Sequence, residues 1–188
     1  MAVDWFYQAW KGLGNDLRAQ GLQLEALDCY YKAIELHPEY MQAHSNLLLE
    51  LNAVLENGGR LLQEHLRWDR QHAGALLQPR SFHNDRSPDK VLKIGYVSSD
   101  FCHHSVAFFI EGILRHHDAE RFHITCYSNL LKPDEKTDTI RSLADCWREI
   151  GCLSDDSVAA LICEDGIDIL VDLSGHTSHH RLLVDLYG

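Results

Sequence analysis

The chain has 188 residues and a formal net charge of −11 with histidine neutral. Without a cluster of Lys and Arg, this charge argues against nucleic acid or an anionic membrane surface as the main partner. No apolar run approaches the ~20 residues that span a bilayer, so we expect a soluble protein of one or two small domains. The six cysteines lack a CxxC pair and no secretory signal precedes them, which predicts reduced thiols and a cytoplasmic location.

Residues 7–38 follow the pattern of a tetratricopeptide repeat, a helix–turn–helix unit of about 34 residues. The small residues Gly14 and Ala26 permit close helix approach, while Trp10 and Tyr30 fill the space between the helices. The other positions that match the pattern are Leu13, Leu17, Ala33 and Pro38.

A second unit begins at Met41, and we expect Asn57-Gly58-Gly59 to stop it about where its second helix would start. Because such repeats generally need about three copies for independent stability, this segment is expected to pack on further repeats or on the domain that follows. One more helix is predicted from about Arg60 to His72. We therefore assign residues 1–78 to a tetratricopeptide-like helical domain. Residues 79–90, rich in Pro, Asn, Asp and Ser, are assigned to a linker.

Strands alternate with helices from residue 91 onward. The apolar run around Ile94 and Tyr96 predicts a buried strand, and the helical spacing behind Ser105, as N-cap, predicts an amphipathic helix. Further predicted elements are strands at Arg121–Ser128 and Ile167–Leu173, a helix at Thr139–Trp147, and a helix from Asp155, behind Ser154, that breaks at Gly166. This alternation predicts an α/β fold with right-handed crossovers and a parallel sheet.

Polar loops follow the first and the last of these strands, at Ser98–His104 and Ser174–Thr177. In open parallel sheets, ligands bind outside the carboxyl ends of the strands. The first loop also precedes a helix N-terminus, whose N–H groups favour anions. We therefore expect both loops at one rim of the sheet, facing a polar substrate.

The segments IGYVSSDF, HHSVAFFIE, FHITCYSN and DGIDILVDLSGHT resemble the start of the catalytic region of protein O-GlcNAc transferases and SPINDLY-type protein O-fucosyltransferases. The resemblance is strongest to bacterial relatives that carry tetratricopeptide repeats. It implies a GT-B glycosyltransferase that moves a sugar from a nucleotide-sugar to Ser or Thr of a protein, with inversion at the anomeric carbon. UDP-GlcNAc is the favoured donor and GDP-fucose the alternative; no other cofactor is implied. The repeats would present the protein acceptor.

The resemblance also implies roles for individual residues. His104 is the expected catalytic residue, because an imidazole that titrates near neutral pH can take a proton from the attacking hydroxyl. The alternative is a histidine that only hydrogen-bonds the loop backbone, and His103 is expected to be a solvated neighbour. The expected substrate-binding residues are Ser98, Asp100, Gly175, His176 and Thr177. For the last three, a purely structural turn is the competing interpretation. For Ser98 and Asp100, the competing interpretation is a polar group at a strand end that only caps the following helix or turn.

No metal site is predicted. The adjacent histidine pairs, such as His116-His117 and His179-His180, point in different directions on a helix or strand, unlike an i,i+4 pair. A DxD triplet, a GxGxxG sequence and a P-loop are all missing from the sequence, so neither a metal-held donor nor a dinucleotide or ATP site is indicated.

In the resembling families a second Rossmann-like domain follows and supplies most contacts to the nucleotide-sugar. Residues 91–188 are therefore expected to be the N-terminal Rossmann-like half of the catalytic domain, truncated, with negligible turnover by itself. The alternative function is a non-catalytic tetratricopeptide module that binds proteins.

Overall fold

The computed structural model describes residues 5–54, 58–74 and 83–184. The chain divides into two compact units, Met1–Ala75 and Leu76–Gly188. The domain bounds drawn from the sequence at residues 78 and 90 stay a prediction, since residues 75–82 lie outside the described residues. Within the described ranges, no helix is both long and apolar enough to cross a membrane.

The described residues of the first unit form α-helices. These are α1 (Phe6–Ala19), α2 (Gln23–Leu36), α3 (Met41–Val54) and α4 (Gly58–Trp68), and α4 continues into a π-helical turn at Asp69–Ala73. Their shared core consists of small and aliphatic side chains around one tyrosine: Ala26, Leu27, Tyr30, Ala33, Ile34, Ala43, Leu47 and Leu51. Burial in this core is the reason that the repeat pattern has apolar residues at positions such as Ala26, Tyr30 and Ala33.

The first two helices approach most closely at Gly14 of α1. A Cβ atom built there would lie 2.6 Å from Cε1 of Tyr30, which is fully buried on α2. Trp10 packs against the same core from one side. The prediction that this position needs a small residue, with the two aromatic rings filling the space between helices, is confirmed.

The end of the second repeat differs from the prediction. Gly58 and Gly59 begin α4 instead of stopping the repeat, and Asn57 lies outside the described residues. Helix α4 packs on α3, where Trp68 Nε1 donates to Ser45 Oγ at 3.1 Å. Tertiary contact of this kind outweighs the low helix propensity of glycine, about 1 kcal/mol per residue relative to Ala.

The second unit is a four-stranded parallel sheet within its described residues, in the order β3-β2-β1-β4. The strands are β1 (Leu92–Ser98), β2 (Phe122–Ser128), β3 (Cys146–Glu149) and β4 (Ile169–Asp172). The helices are α5 (Ser105–His116), α6 (Glu135–Leu143) and α7 (Asp155–Asp165). The predicted α/β class and parallel sheet are confirmed. Strands β2 and β4 lie within the predicted strands, and β1 does so except for Ser98, which was predicted to begin the polar loop.

Side chains that alternate along the central strands fill two cores, one on each face of the sheet. Tyr96 and Ile124 face the side covered by α5 and α6. Val97 and Tyr127, one and three residues further along the same strands, face the side covered by α7, because an odd spacing turns a side chain to the other face. Burial on both faces explains why both strands carry apolar side chains on each side of the sheet.

The helix predicted at Thr139–Trp147 is wrong in position. Asp134 and Thr137 form a capping box, in which each side chain accepts from the other residue's N–H at 3.0 Å, so α6 begins at Glu135. The chain becomes extended at Ala144. Trp147 then belongs to the edge strand β3, with its ring 5.4 Å from that of Phe101.

The helix predicted behind Ser154 is confirmed at both ends. Ser154 Oγ accepts from the Ser157 N–H at 3.3 Å, and Gly166 ends α7 in the left-handed conformation with φ +66°. The chain before β1 is tied to the same region, because Asn84 Nδ2 donates to the Ile167 carbonyl at 3.0 Å. Residues 83–90, part of the predicted linker, thus contact the sheet unit.

Candidate active site at the carboxyl rim of the sheet

The two polar loops meet at one end of the sheet. Strands β1 and β4 are parallel neighbours, with Val97 opposite Asp172. Beyond them, the Ser99 N–H donates to Ser174 Oγ at 3.2 Å and Ser99 Oγ donates to the Ser178 carbonyl at 3.1 Å. The expectation of a shared rim is therefore confirmed.

His104 is the N-cap of α5. Its backbone is extended, and its Nδ1 accepts from the Val106 N–H at 3.4 Å. The prediction that Ser105 caps this helix is wrong, since Ser105 is its first residue. The hydrogen bond of the alternative interpretation is therefore present. The imidazole nevertheless stays 44% exposed and open to a substrate.

Asp100 is the charged neighbour of His104. Its Oδ2 lies 3.9 Å from His104 Nδ1, which is too long for a hydrogen bond but close enough for electrostatic attraction. Oδ2 is buried and has no hydrogen-bond donor among the described residues, while Oδ1 accepts from Ser99 Oγ at 3.3 Å. Ser98 is fully buried and its Oγ accepts from the Asp100 N–H at 2.9 Å. This buried hydrogen bond therefore stabilises the loop backbone at Asp100.

Asp172, at the end of β4, was not singled out in the sequence. Its Oδ2 accepts from the Gly175 N–H at 2.5 Å, and its buried Oδ1 has no donor among the described residues. Burial raises the pKa of Asp172, and the charge of Asp100 adds to that rise, against the opposing effect of the Gly175 and Ser174 N–H groups. An acidic residue at the end of a predicted strand, two residues before a polar loop, was a signal that could have identified Asp172.

The loop after β4 forms a tight turn. Gly175 has φ +56°, a conformation that favours glycine. Thr177 Oγ1 donates to the Ser174 carbonyl at 2.8 Å, and the His176 ring stands edge-on to that of His180, 5.9 Å away. These contacts shape the turn, and the substrate-binding roles of Gly175, His176 and Thr177 stay a prediction.

Arg181 and Asn129 hold the far end of this turn, and neither was predicted. Arg181 is 15% exposed and donates to Asp155 Oδ1 at 2.6 Å and to Asn129 Oδ1 at 3.2 Å. Asn129 Nδ2 in turn donates to the carbonyl of His179, whose φ is +61°. This network ties the turn to the ends of β2 and α7, and its contacts span 26 to 52 residues of sequence.

His103 does not join the site. It is exposed, its N–H donates to Asp134 Oδ2 at 2.7 Å, and its ring lies edge-on to Phe108. Among the described residues, no group of three or more His, Cys, Asp or Glu side chains is arranged to hold a metal ion. The rim therefore offers an exposed imidazole beside the carboxyl group of Asp100, which suits proton transfer to or from a bound hydroxyl.

Comparisons with known proteins show the family of this chain. The profile of Glycosyl transferase family 41 matches residues 72–184, which include the whole rim. The protein "Probable UDP-N-acetylglucosamine--peptide N-acetylglucosaminyltransferase SPINDLY" of Oryza sativa subsp. japonica is 37% identical over 161 residues, 83% of this chain and 17% of that protein. The protein of the same name from Solanum lycopersicum is 35% identical, over 79% of this chain and 16% of its own length.

A solved structure gives the same result. The "Thermobaculum terrenum O-GlcNAc transferase mutant - K341M" superimposes with a TM-score of 0.91 and 36% identity, covering 96% of this chain and 35% of that one. This chain thus spans about one sixth of the length of the curated relatives and about a third of the solved structure. With both a sequence profile and a strand-end geometry in agreement, the chain belongs to Glycosyl transferase family 41.

Proposed function

We propose that this chain is the acceptor-side part of a protein O-glycosyltransferase, which moves a sugar from a nucleotide-sugar to a Ser or Thr hydroxyl of a protein. The observation that carries the proposal is the exposed imidazole of His104 at the rim shared by β1 and β4, in a chain of family 41. UDP-GlcNAc is the favoured donor, because the relatives' names refer to it, and GDP-fucose is the alternative.

In the proposed reaction, His104 accepts the proton of the acceptor hydroxyl as its oxygen forms a bond to the anomeric carbon. The bond from that carbon to the diphosphate oxygen breaks, and its electron pair leaves with the nucleoside diphosphate. Attack from the opposite face inverts the anomeric configuration. Asp100, Gly175, His176 and Thr177 bind the acceptor substrate at the rim, and Ser98 Oγ accepts from the Asp100 N–H.

In this proposal, residues outside this chain are needed to bind the nucleotide-sugar donor. Support comes from the length comparison, in which the chain covers 35% of the solved O-GlcNAc transferase. Stabilisation of charge on the leaving diphosphate is usually a large part of such catalysis, and it would come from those residues.

The helical unit presents the protein acceptor in this proposal. Large apolar side chains that its core does not use support the assignment, for example Leu24 on α2 and Leu62 on α4, which are 69% and 56% exposed. A cytoplasmic location is proposed as well. It is supported by the buried thiols of Cys29 and Cys126, which form no disulfide.

A chimera tests the proposal. In it, this chain replaces the matching segment of the Thermobaculum terrenum O-GlcNAc transferase, and intact-mass spectrometry follows an acceptor peptide with UDP-GlcNAc or GDP-fucose. We expect transfer from one donor. His104→Ala should lower kcat about 10²- to 10⁴-fold, the usual contribution of a general base, while the neighbouring His103→Ala should retain most activity.

Two results would overturn the proposal. Full activity of the His104→Ala chimera would show that His104 is not the general base. A chimera that folds and binds the donor but transfers nothing would favour the non-catalytic protein-binding module.

A further inference from the structure

His104 has its proton in the wrong place for a base. Its Nδ1 accepts from the Val106 N–H, and a neutral imidazole that accepts at one nitrogen carries its proton on the other. In this arrangement Nε2 is protonated and Nδ1 is occupied by the helix cap. Neither nitrogen can then take a proton from a hydroxyl.

The hydrogen bond that holds this arrangement is weak. At 3.4 Å it exceeds the usual N–H donor distance, and the ring is 44% exposed, so the side chain can turn at little cost. A turned ring would leave the Val106 N–H at the first turn of α5, where water can satisfy it.

Asp100 offers the partner that a turned ring needs. Its Oδ2 is buried without a donor among the described residues, 3.9 Å from His104 Nδ1. A buried acceptor without a partner is unfavourable, and hydrogen bonds to a charged acceptor are about twice as strong as neutral ones. The Asp100 backbone is held by its N–H, which donates to the buried Ser98 Oγ at 2.9 Å, and the Asp100 side chain is 17% exposed, against 44% for His104. The carboxylate is therefore less free to move than the imidazole.

Two further acidic residues lie near this loop, Asp172 and Asp134. Asp172 lies beyond Asp100 on β4, where the two charges interact, and Asp134, at the start of α6, accepts from the N–H of His103. Both add negative potential at the loop, which favours the imidazolium that forms when the base takes up a proton.

We propose that Asp100 is the positioning residue for His104: it accepts a hydrogen bond from Nδ1–H and so leaves Nε2 unprotonated toward the acceptor hydroxyl. The catalytic part of this inference rests on the proposed function, while the orientation of His104 by Asp100 does not. It involves one proton, which moves from Nε2 to Nδ1 through solvent, and no covalent bond between heavy atoms changes.

Nitrogen NMR of this chain, labelled with ¹⁵N-histidine, measures the two tautomers of His104 directly. We expect wild type to populate the Nδ1–H form, and Asp100→Asn to lower its ratio to the Nε2–H form about tenfold, because the amide can donate to Nδ1. Asp138→Asn, which removes one exposed charge from α6, is the matched control and should leave the ratio unchanged. Asp100→Ala should act in the same direction and covers the case in which the Asn variant does not fold.

The chimera supplies the second readout. There, Asp100→Asn should lower kcat at least tenfold with KM for the nucleotide-sugar within twofold of wild type. A tautomer ratio that is the same in wild type and in both Asp100 variants overturns the inference, whether or not the chimera is active. A shifted ratio in an inactive chimera upholds the role of Asp100 in orienting His104, and the failure is then that of the proposed function.

Discussion

Gly14 offers a test in which steric contact and helix propensity oppose each other. In α1, Gly→Ala gains about 1 kcal/mol of helix propensity. The new Cβ, however, would lie 2.6 to 3.1 Å from three ring carbons of Tyr30, where contacts between carbon atoms normally lie at ~3.5–4.0 Å. Overpacking of this kind costs about 1–3 kcal/mol, and a shifted ring also weakens the 3.0 Å bond from Tyr30 Oη to Asn15 Oδ1, worth about 1 kcal/mol. We expect a net loss of about 1–3 kcal/mol.

Gly12 is the matched control, two residues earlier in the same helix. A Cβ there meets nothing within 4 Å, so Gly12→Ala should stabilise α1 by up to about 1 kcal/mol. Hydrogen exchange of the peptides that cover α1 and α2, read by mass spectrometry, reports the local free energy of opening in the full chain. Exchange should be about 5- to 150-fold faster in Gly14→Ala, which corresponds to a loss of about 1–3 kcal/mol, and slower in Gly12→Ala. If both variants slow exchange equally, the close approach of α1 to Tyr30 does not constrain this position.

Three further predictions concern the rim and the isolated chain. Burial and the charge of Asp100 raise the pKa of Asp172, so ionising this carboxyl destabilises the fold. Asp172→Asn should therefore raise the melting temperature at pH 7, and the gain should disappear below pH 3.8, the ordinary pKa of an Asp carboxyl. A lower melting temperature of the variant at pH 7 would contradict this. Arg181→Met removes the donor to the side-chain oxygens of Asp155 and Asn129 and should destabilise residues 174–184 by about 2 kcal/mol. Hydrogen exchange should then be faster in that segment. Unchanged exchange would show that the network does not hold the turn. The isolated chain, incubated with UDP-GlcNAc and an acceptor peptide, should give no detectable product by intact mass; robust turnover from a purified preparation would refute the need for residues outside it.

Local patterns were enough to predict much of the fold. The apolar run of β1, the spacing of α5, and the cap and stop of α7 at Ser154 and Gly166 each depend on residues within a few positions of one another. Edge strand β3 was missed because its four residues are only half buried and follow a helical pattern, so that pairing with β2 alone makes them a strand. The shift of α6 has a local cause, the Asp134–Thr137 capping box, whose Asp-x-x-Thr pattern differs from the usual Ser/Thr-x-x-Glu.

The candidate site also combines features that local sequence patterns predict with contacts that only the folded chain shows. The amino-acid sequence by itself determined that polar loops follow two apolar strands and that His104 lies at a helix start, since chain order and periodicity carry that information. Only the tertiary structure decided that Asp172 lies close enough to Asp100 to shift its pKa, and that Arg181 reaches Asp155 and Asn129. The reason is physical: these contacts join residues 26 to 72 positions apart, and their energies depend on burial and distance, which arise only when the sheet has formed.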